Sequence, residues 1–129
     1  MATHAFLALS ALVWLPYGLY CFLRPEFLAE AAGIVASSTT ANTELRAMYG
    51  GLQMGIGMLA AAAILAPSLC RPALVTVAFL CTGLATTRAV GVVLDGGLTG
   101  YTAAGLAFEI LSASIAVVLL PRTAVAEAA

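Results

Sequence analysis

The chain divides into four long apolar stretches that are separated by short polar or proline-containing segments. The stretches cover about residues 4–23, 44–66, 72–94 and 101–120, and a helix needs about 20 mostly apolar residues to cross the hydrocarbon core of a bilayer. No Asp, Glu, Lys or Arg precedes Arg24. The pattern predicts four transmembrane helices, and their short connections predict an all-α, up-down-up-down four-helix bundle.

A helix-breaking motif follows each apolar stretch. The motifs are Arg24-Pro25-Glu26, Pro67–Arg71, Asp95-Gly96-Gly97 and Pro121-Arg122. We expect each motif to end a helix. Segment 27–34 is weakly amphipathic and predicts a short helix on the membrane surface. Asn42 or Thr43 is expected to cap the second transmembrane helix. Pro16 lies inside the first stretch and predicts a kink there, because proline lacks a backbone N–H.

Composition supports a membrane protein and excludes several other classes. Hydrophobic residues make up 63% of the 129 residues and charged residues 9%, whereas soluble domains have roughly 25% charged residues. Five Arg and no Lys leave no basic patch for nucleic acid. One histidine and three isolated cysteines do not suit a metal site, so we expect no metal and no cofactor. The chain is interpreted as a single four-span domain, residues 1–129.

Polar residues within the last three stretches fall in one half of the membrane if neighbouring helices are antiparallel. Three stripes at helical spacing carry small and polar residues: Arg46, Gly50, Gln53 and Gly57; Arg88, Gly91 and Asp95; and Thr102, Gly105, Glu109 and Ser112. Charges near the bilayer centre are costly, so the stripes are expected to face inward around one cavity. Since a buried charge needs a partner, we expect Arg88 to pair with Glu109, and Arg46 with Asp95 or Glu109.

The cavity is predicted to bind a membrane lipid or another lipophilic small molecule. The candidate catalytic residues are Glu109, Arg88 and Asp95, and the candidate ligand-binding residues are Arg46, Tyr49, Gln53, Tyr17 and Glu44. In an enzymatic version Glu109 donates a proton while the arginines stabilise developing negative charge, as an isomerase or cyclase requires. In the structural alternative the same charges only hold the helices in register.

A second face of the second stretch carries Gly51 and Gly55, a small-xxx-small pair that allows close approach of another helix. This face favours an alternative function as a membrane scaffold or subunit, and it leaves a homodimer open. Arg71 and Arg122 lie on the side of the amino terminus and Arg24 lies opposite, so the positive-inside rule predicts cytoplasmic termini.

The stretch Glu44-Leu45-Arg46-Ala47-Met48-Tyr49-Gly50-Gly51-Leu52-Gln53-Met54-Gly55 resembles the signature of an uncharacterised, domain-of-unknown-function family of small four-span bacterial membrane proteins. Tyr17-Gly18, Arg88 before Asp95-Gly96, and Glu109 are similar as well. The resemblance implies a four-helix membrane fold, a polar cluster at these positions and a bacterial inner-membrane location. It implies no particular activity.

Overall fold

The computed structural model describes the backbone of residues 1–127 and the side chains of residues 1–121. Five helices, one 3-10 turn and the loops between them make up this part of the chain. The helices are α1 (Ala2–Leu23), α2 (Phe27–Ala32), α3 (Thr39–Leu65), α4 (Cys70–Asp95) and α5 (Gly100–Glu127), and Pro67–Leu69 forms a 3-10 turn between α3 and α4. No strand occurs among the described residues, so the all-α prediction is confirmed.

Four of these helices, α1, α3, α4 and α5, are long and apolar enough to cross a membrane. The shortest of them, α1, has 22 residues and extends about 33 Å at 1.5 Å per residue. Large apolar side chains cover the outside of the four helices, among them Leu9, Leu12, Leu65, Phe79, Val93, Leu94, Leu111 and Val118. Helices satisfy their own backbone groups, as hydrocarbon requires, so the chain has the form of a membrane-embedded protein.

The start of α3 differs from the sequence prediction. Ser38, not Asn42 or Thr43, caps the helix: it has an extended backbone, and its hydroxyl accepts a hydrogen bond from the Ala41 N–H at 3.0 Å. Serine is a strong N-cap because its oxygen satisfies an N–H that has no partner inside the helix. The helix therefore begins within the polar loop and starts at Thr39.

The end of α5 also differs from the prediction, because the helix continues through Pro121 to Glu127. Pro16 lies in the same way inside α1. A proline removes one backbone donor, and a long helix continues past it when the surrounding turns keep their bonds. The Arg122 side chain lies outside the described residues, so the orientation of the termini stays a prediction.

Helices α1 and α3 pack against each other through glycines. A Cβ added at Gly18 would lie 2.7 Å from the Met54 backbone nitrogen, and one at Gly57 would lie 2.6 Å from the Leu15 side chain. Residue numbers fall along α1 as they rise along α3 in these contacts, so the two helices are antiparallel. Only glycine allows the backbones to approach this closely.

Apolar packing is concentrated in one half of the bundle. The buried residues there come from all four long helices and include Leu7, Ala60, Ala63, Leu74, Val77 and Ala116. The opposite half contains the charged and polar side chains described below. The predicted division into a dry half and a polar half therefore agrees with the packing.

Candidate functional site

A cavity of about 500 Å³ lies between α1, α3, α4 and α5 in the polar half. Cavities that bind small molecules usually have volumes of about 300–1,000 Å³ and mostly apolar walls. The apolar residues that line the cavity of this protein are Val13, Trp14, Met48, Leu52, Leu84, Ala104, Gly105 and Phe108. The polar residues that line it are Tyr17, Tyr49, Gln53, Arg88, Tyr101 and Glu109. Each of the four long helices thus contributes side chains to the lining of the cavity.

An ion pair joins α4 to α5 at this cavity. Arg88 Nη2 donates to Glu109 Oε1 at 2.6 Å, and Arg88 Nε donates to Glu109 Oε2 at 3.0 Å. The Glu109 side chain is 5% exposed and the Arg88 side chain 28%. This two-bond geometry is the strong form of an arginine–carboxylate pair. The predicted pairing of Arg88 with Glu109 is confirmed.

Gly105 makes room for the Arg88 guanidinium. A Cβ at this position would lie 3.1 Å from Arg88 Cζ and 3.3 Å from its Nε. Because Gly105 precedes Glu109 by one helical turn, the same face of α5 supplies both the flat surface beneath the guanidinium and its carboxylate partner. The small residue in the predicted stripe is therefore part of the ion-pair site.

Two contacts connect α1 to α5 across the cavity. The Tyr17 and Tyr101 hydroxyl groups form a hydrogen bond at 2.9 Å. The Trp14 and Phe108 rings meet edge to face, with centroids 5.4 Å apart. Trp14 and Tyr17 lie one turn apart on α1, so the two contacts stack along the same wall.

Two buried polar atoms in the cavity wall have no hydrogen-bond partner among the described residues. They are the indole Nε1 of Trp14 and the amide Oε1 of Gln53. Trp14 as a whole is 5% exposed. Leaving a buried polar group without a partner costs about 1–3 kcal/mol. Both atoms are fully buried, so neither is exposed on the cavity surface.

A π-helical turn of six residues, Arg46–Gly51, interrupts α3 beside the cavity. Its bonding includes a hydrogen bond from the Leu52 N–H to the Ala47 carbonyl, five residues back. Such a turn inserts an extra residue and is frequent at functional sites. Stripe residues on both sides of the turn still face α1: Arg46 contacts Phe22, and Gly57 lies against Leu15.

Arg46, the first residue of this turn, lies outside the cavity. It donates to the Phe22 carbonyl, and its guanidinium carbon lies 5.7 Å from the centre of the Phe22 ring. The predicted pairing of Arg46 with Asp95 or Glu109 is therefore wrong. Gly50 in the same turn packs against Phe22 as well, where an added Cβ would lie 2.7 Å from the Phe22 Cβ.

Five of the eight candidate residues line the cavity together: Tyr17, Tyr49, Gln53, Arg88 and Glu109. Three do not, because Arg46 packs on Phe22 while Asp95 and Glu44 lie exposed away from the cavity lining. Asp95 forms no ion pair within the part of the chain that the structure describes. Asp95 is the last residue of α4, and Gly96 caps the helix.

Sequence reasoning missed the cavity-lining roles of Trp14, Phe108 and Tyr101. Tyr101 lies in the first turn of α5, and its hydroxyl bonds to Tyr17. Helical spacing carried a usable signal, because Tyr101 lies four residues before Gly105 and Phe108 directly precedes Glu109. Tyr20, in the last turn of α1, meets Phe27 edge to face with centroids 5.1 Å apart and does not line the cavity.

Replacing Tyr17 by Phe is expected to lower the free energy of unfolding by about 1 kcal/mol, because it removes one hydrogen bond and leaves the Tyr101 hydroxyl without its partner. The measurement is reversible unfolding in detergent micelles. Tyr20→Phe is the matched control, since Tyr20 is 48% exposed, and it should leave stability unchanged. Equal effects of the two substitutions would contradict a structural role for the hydroxyl pair.

Residues 2–120 match the family model described as "Domain of unknown function (DUF4345)". The chain therefore belongs to this family, and the expected membership in a domain-of-unknown-function family is confirmed. No curated protein and no solved structure matches the chain.

Proposed function

We propose that this member of the DUF4345 family is a membrane protein that binds a lipophilic small molecule in the cavity between α1, α3, α4 and α5. The observation that carries the proposal is the cavity itself: about 500 Å³, with a mostly apolar wall and a few polar groups that converge from four helices. That combination is typical of sites that hold an apolar molecule and orient it by a polar end.

The exposed apolar part of the lining supports entry from the surrounding lipid. Three apolar lining residues keep a large exposed fraction, namely Val13 at 38%, Met48 at 54% and Leu52 at 42%. An apolar rim of this kind costs little in contact with acyl chains and offers a surface for the hydrocarbon part of a ligand. The polar end would then lie deeper, towards Arg88 and the tyrosines.

The proposal is limited to binding. Glu109 accepts hydrogen bonds from both Nε and Nη2 of Arg88 in a carboxylate–guanidinium pair, a geometry that suits a structural anion more than a proton donor. Asp95, the other candidate acid, lies outside the cavity lining. These placements do not favour the isomerase or cyclase chemistry considered from the sequence.

A scaffold or subunit function is the second candidate, and the open face of α3 favours it. Gly51 and Gly55 are exposed, and no atom of the described structure lies within 4 Å of a Cβ built at Gly55. The pair therefore makes no contact inside this bundle. It remains available to lipid or to a helix of another chain.

Trp14 provides a direct test of binding, because it is the only tryptophan of the chain and lines the cavity. We expect a long-chain alcohol that is brominated near its polar end to quench Trp14 fluorescence saturably in phosphatidylcholine nanodiscs. Val13→Phe combined with Ala104→Phe narrows the cavity from two walls. This double variant should weaken binding about tenfold or more, the equivalent of about 1.4 kcal/mol.

The control substitutions are Leu12→Phe and Ala107→Phe, which add the same ring to neighbouring exposed positions outside the cavity lining. They should leave the quenching curve unchanged. Linear quenching with no saturation by any brominated octadecyl probe (alcohol, methyl ether, carboxylic acid or hydrocarbon) would overturn the binding function and favour the scaffold. Equal quenching in the double variant and in the control variants would show that the probe binds outside this cavity.

A further inference from the structure

We infer that Arg88 holds the polar end of the ligand, and that this end is an uncharged oxygen that accepts hydrogen bonds, as in an ether, ester, ketone or alcohol. The inference rests on the proposed binding function and adds the chemical class of the ligand. It comes from the part of the Arg88 guanidinium that the ion pair with Glu109 leaves unused, and from the charge balance of the cavity.

The ion pair uses one edge of the Arg88 guanidinium. Nε and Nη2 donate to the Glu109 carboxylate, with shortest contacts of 3.0 Å and 2.6 Å. Nη1 donates to no residue within 1–121. A guanidinium carries its N–H groups in a fixed planar fork, two of them on each Nη. Both N–H groups of Nη1 and one of Nη2 are therefore without a partner among these residues.

The unused N–H groups lie at the cavity wall. Arg88 lines the cavity, and its side chain is 28% exposed, whereas that of Glu109 is 5% exposed. The buried side-chain atoms that lack a partner are Trp14 Nε1 and Gln53 Oε1, and Nη1 is not one of them. A Cβ at Gly105 would lie 3.3 Å from Nε and 3.4 Å from Nη2. Helix α5 thus covers the Nε–Nη2 edge and leaves the Nη1 end accessible.

The accessible end of the guanidinium suits a single acceptor oxygen. Nη1 and Nη2 are bonded to the same carbon, so their N–H groups at this end point in the same direction, and one oxygen can receive both. Covalent geometry fixes this arrangement, and no adjustment between helices is needed. Hydrogen bonds from a charged donor are also about twice as strong as those between neutral groups. Arg88 is therefore the strongest unoccupied donor of the lining.

The other unoccupied polar groups of the lining carry protons as well. The Tyr49 hydroxyl and the Gln53 amide nitrogen bond to no described residue, and both can donate. The oxygens of the lining are less available, because Gln53 Oε1 is fully buried and the Glu109 oxygens accept from Arg88. A polar end that accepts is thus better matched than one that only donates, and a hydrocarbon leaves the donors unsatisfied.

The charge balance disfavours an ionised polar end. Arg88 is the only cationic side chain that lines the cavity within the described part of the chain, and Glu109 already compensates it. A carboxylate or phosphate would therefore leave a net negative charge in an apolar space. That is far more costly than burying a neutral group that is hydrogen-bonded.

The experiment compares four octadecyl probes that are brominated near one end: the alcohol, its methyl ether, the carboxylic acid and the hydrocarbon. Saturable quenching of Trp14 in phosphatidylcholine nanodiscs gives the mole fraction of bilayer-bound probe at half-saturation, so partition into the lipid does not enter. A buffer at about pH 9 keeps the acid ionised, since carboxylic acids have a pKa of about 4. We expect the ether and the alcohol to bind equally, and about tenfold more tightly than the hydrocarbon or the acid.

The double substitution Arg88→Met with Glu109→Met removes the donors and keeps the lining uncharged, so the ether and the hydrocarbon should bind equally. Arg88→Lys is the second variant. It keeps a positive charge beside Glu109 and should also lose the preference for the ether, because an ammonium lacks the planar fork. Leu84→Met is the matched control, since Leu84 lines the cavity one turn before Arg88 on α4, and it should keep the preference.

Tyr49→Phe tests whether another donor holds the oxygen instead. We expect this variant to keep most of the preference for the ether, because the Arg88 donors are unchanged. A preference that is lost in Tyr49→Phe and kept in the double variant would overturn the assignment to Arg88.

The outcomes separate this inference from the proposed function. Saturable binding in which the hydrocarbon or the acid equals the ether would overturn the acceptor assignment and leave the binding function standing. An alcohol that binds more tightly than the ether would also overturn it, because the site would then accept a proton from the ligand. No saturable binding of any probe would overturn both.

Two kinds of natural lipid carry an uncharged acceptor oxygen on a long hydrocarbon, and competition distinguishes them. Displacement of the brominated ether by geranylgeranyl acetate supports an isoprenoid source, and displacement by dioleoylglycerol supports a glycerolipid source. Displacement by neither overturns the assignment of a natural lipid of this class.

Discussion

Replacing Arg88 by Met is expected to lower the free energy of unfolding by about 3–5 kcal/mol, the usual cost of removing one partner of a buried ion pair. The Glu109 side chain is 5% exposed, and among residues 1–121 only Arg88 donates hydrogen bonds to it. The substitution therefore leaves a carboxylate inside an apolar bundle with no counter-charge. The measurement is equilibrium unfolding in detergent micelles, followed by circular dichroism.

The double substitution Arg88→Met with Glu109→Met is expected to restore most of the lost stability, because two apolar side chains replace two charges. Arg24→Met is the control for simple loss of an arginine. Arg24 also lies 2.6 Å from a glutamate oxygen, that of Glu26, but the two side chains are 64% and 63% exposed. Exposed pairs contribute little, so this variant should stay close to wild type.

A result in which Arg88→Met and Arg24→Met have equal stability would contradict the buried role of the Arg88–Glu109 pair. A double variant that is no more stable than Arg88→Met would show that the loss comes from packing around the long arginine side chain. The comparison thus separates the loss of charge compensation from the loss of packing volume at Arg88.

Replacing Gly18 by Ala is expected to destabilise the bundle by about 2–3 kcal/mol, since the added methyl group has no space. It would lie 2.7 Å from the Met54 nitrogen and 2.8 Å from the Gly50 oxygen, and both of these are backbone atoms. Backbone does not rotate away as a side chain does, so α1 has to move from α3. The measurement is again reversible unfolding in micelles, together with the emission wavelength of Trp14 one turn away.

Gly83→Ala is the matched control, because no atom lies within 4 Å of a Cβ built there. Alanine forms helix more readily than glycine by about 0.8–1 kcal/mol. This variant should therefore be as stable as wild type or slightly more stable. If Gly18→Ala behaved in the same way, the close approach of α1 and α3 would not exist.

Much of the fold could be predicted from the sequence because its causes are local. Four apolar runs of sufficient length and the breakers between them dictate four helices, whatever their packing partners. Helix ends were less predictable, because several neighbouring polar residues can act as the N-cap and a proline does not always end a helix. Ser38 caps α3, and α5 continues through Pro121.

Part of the candidate site was also predictable. The short connection between α4 and α5 brings residues at similar depth together, and the rise of 1.5 Å per residue places Arg88 opposite Glu109. The wall between α1 and α5 was not predictable in this way. Contacts such as Tyr17 with Tyr101 join residues far apart in sequence, and they depend on how each helix is rotated about its axis.

The sequence by itself determined the membrane class, the number of long helices, the family and the pairing of the buried arginine with its carboxylate, since length, hydropathy and the cost of an unpaired charge leave few alternatives. Only the tertiary structure decided which polar residues share the cavity. Arg46 contacts Phe22 near the end of α1 and lies outside the cavity, whereas Gln53, seven residues further along α3, lines it. The difference depends on where each residue of α3 meets the neighbouring helices, and helical spacing in one chain segment does not encode that position.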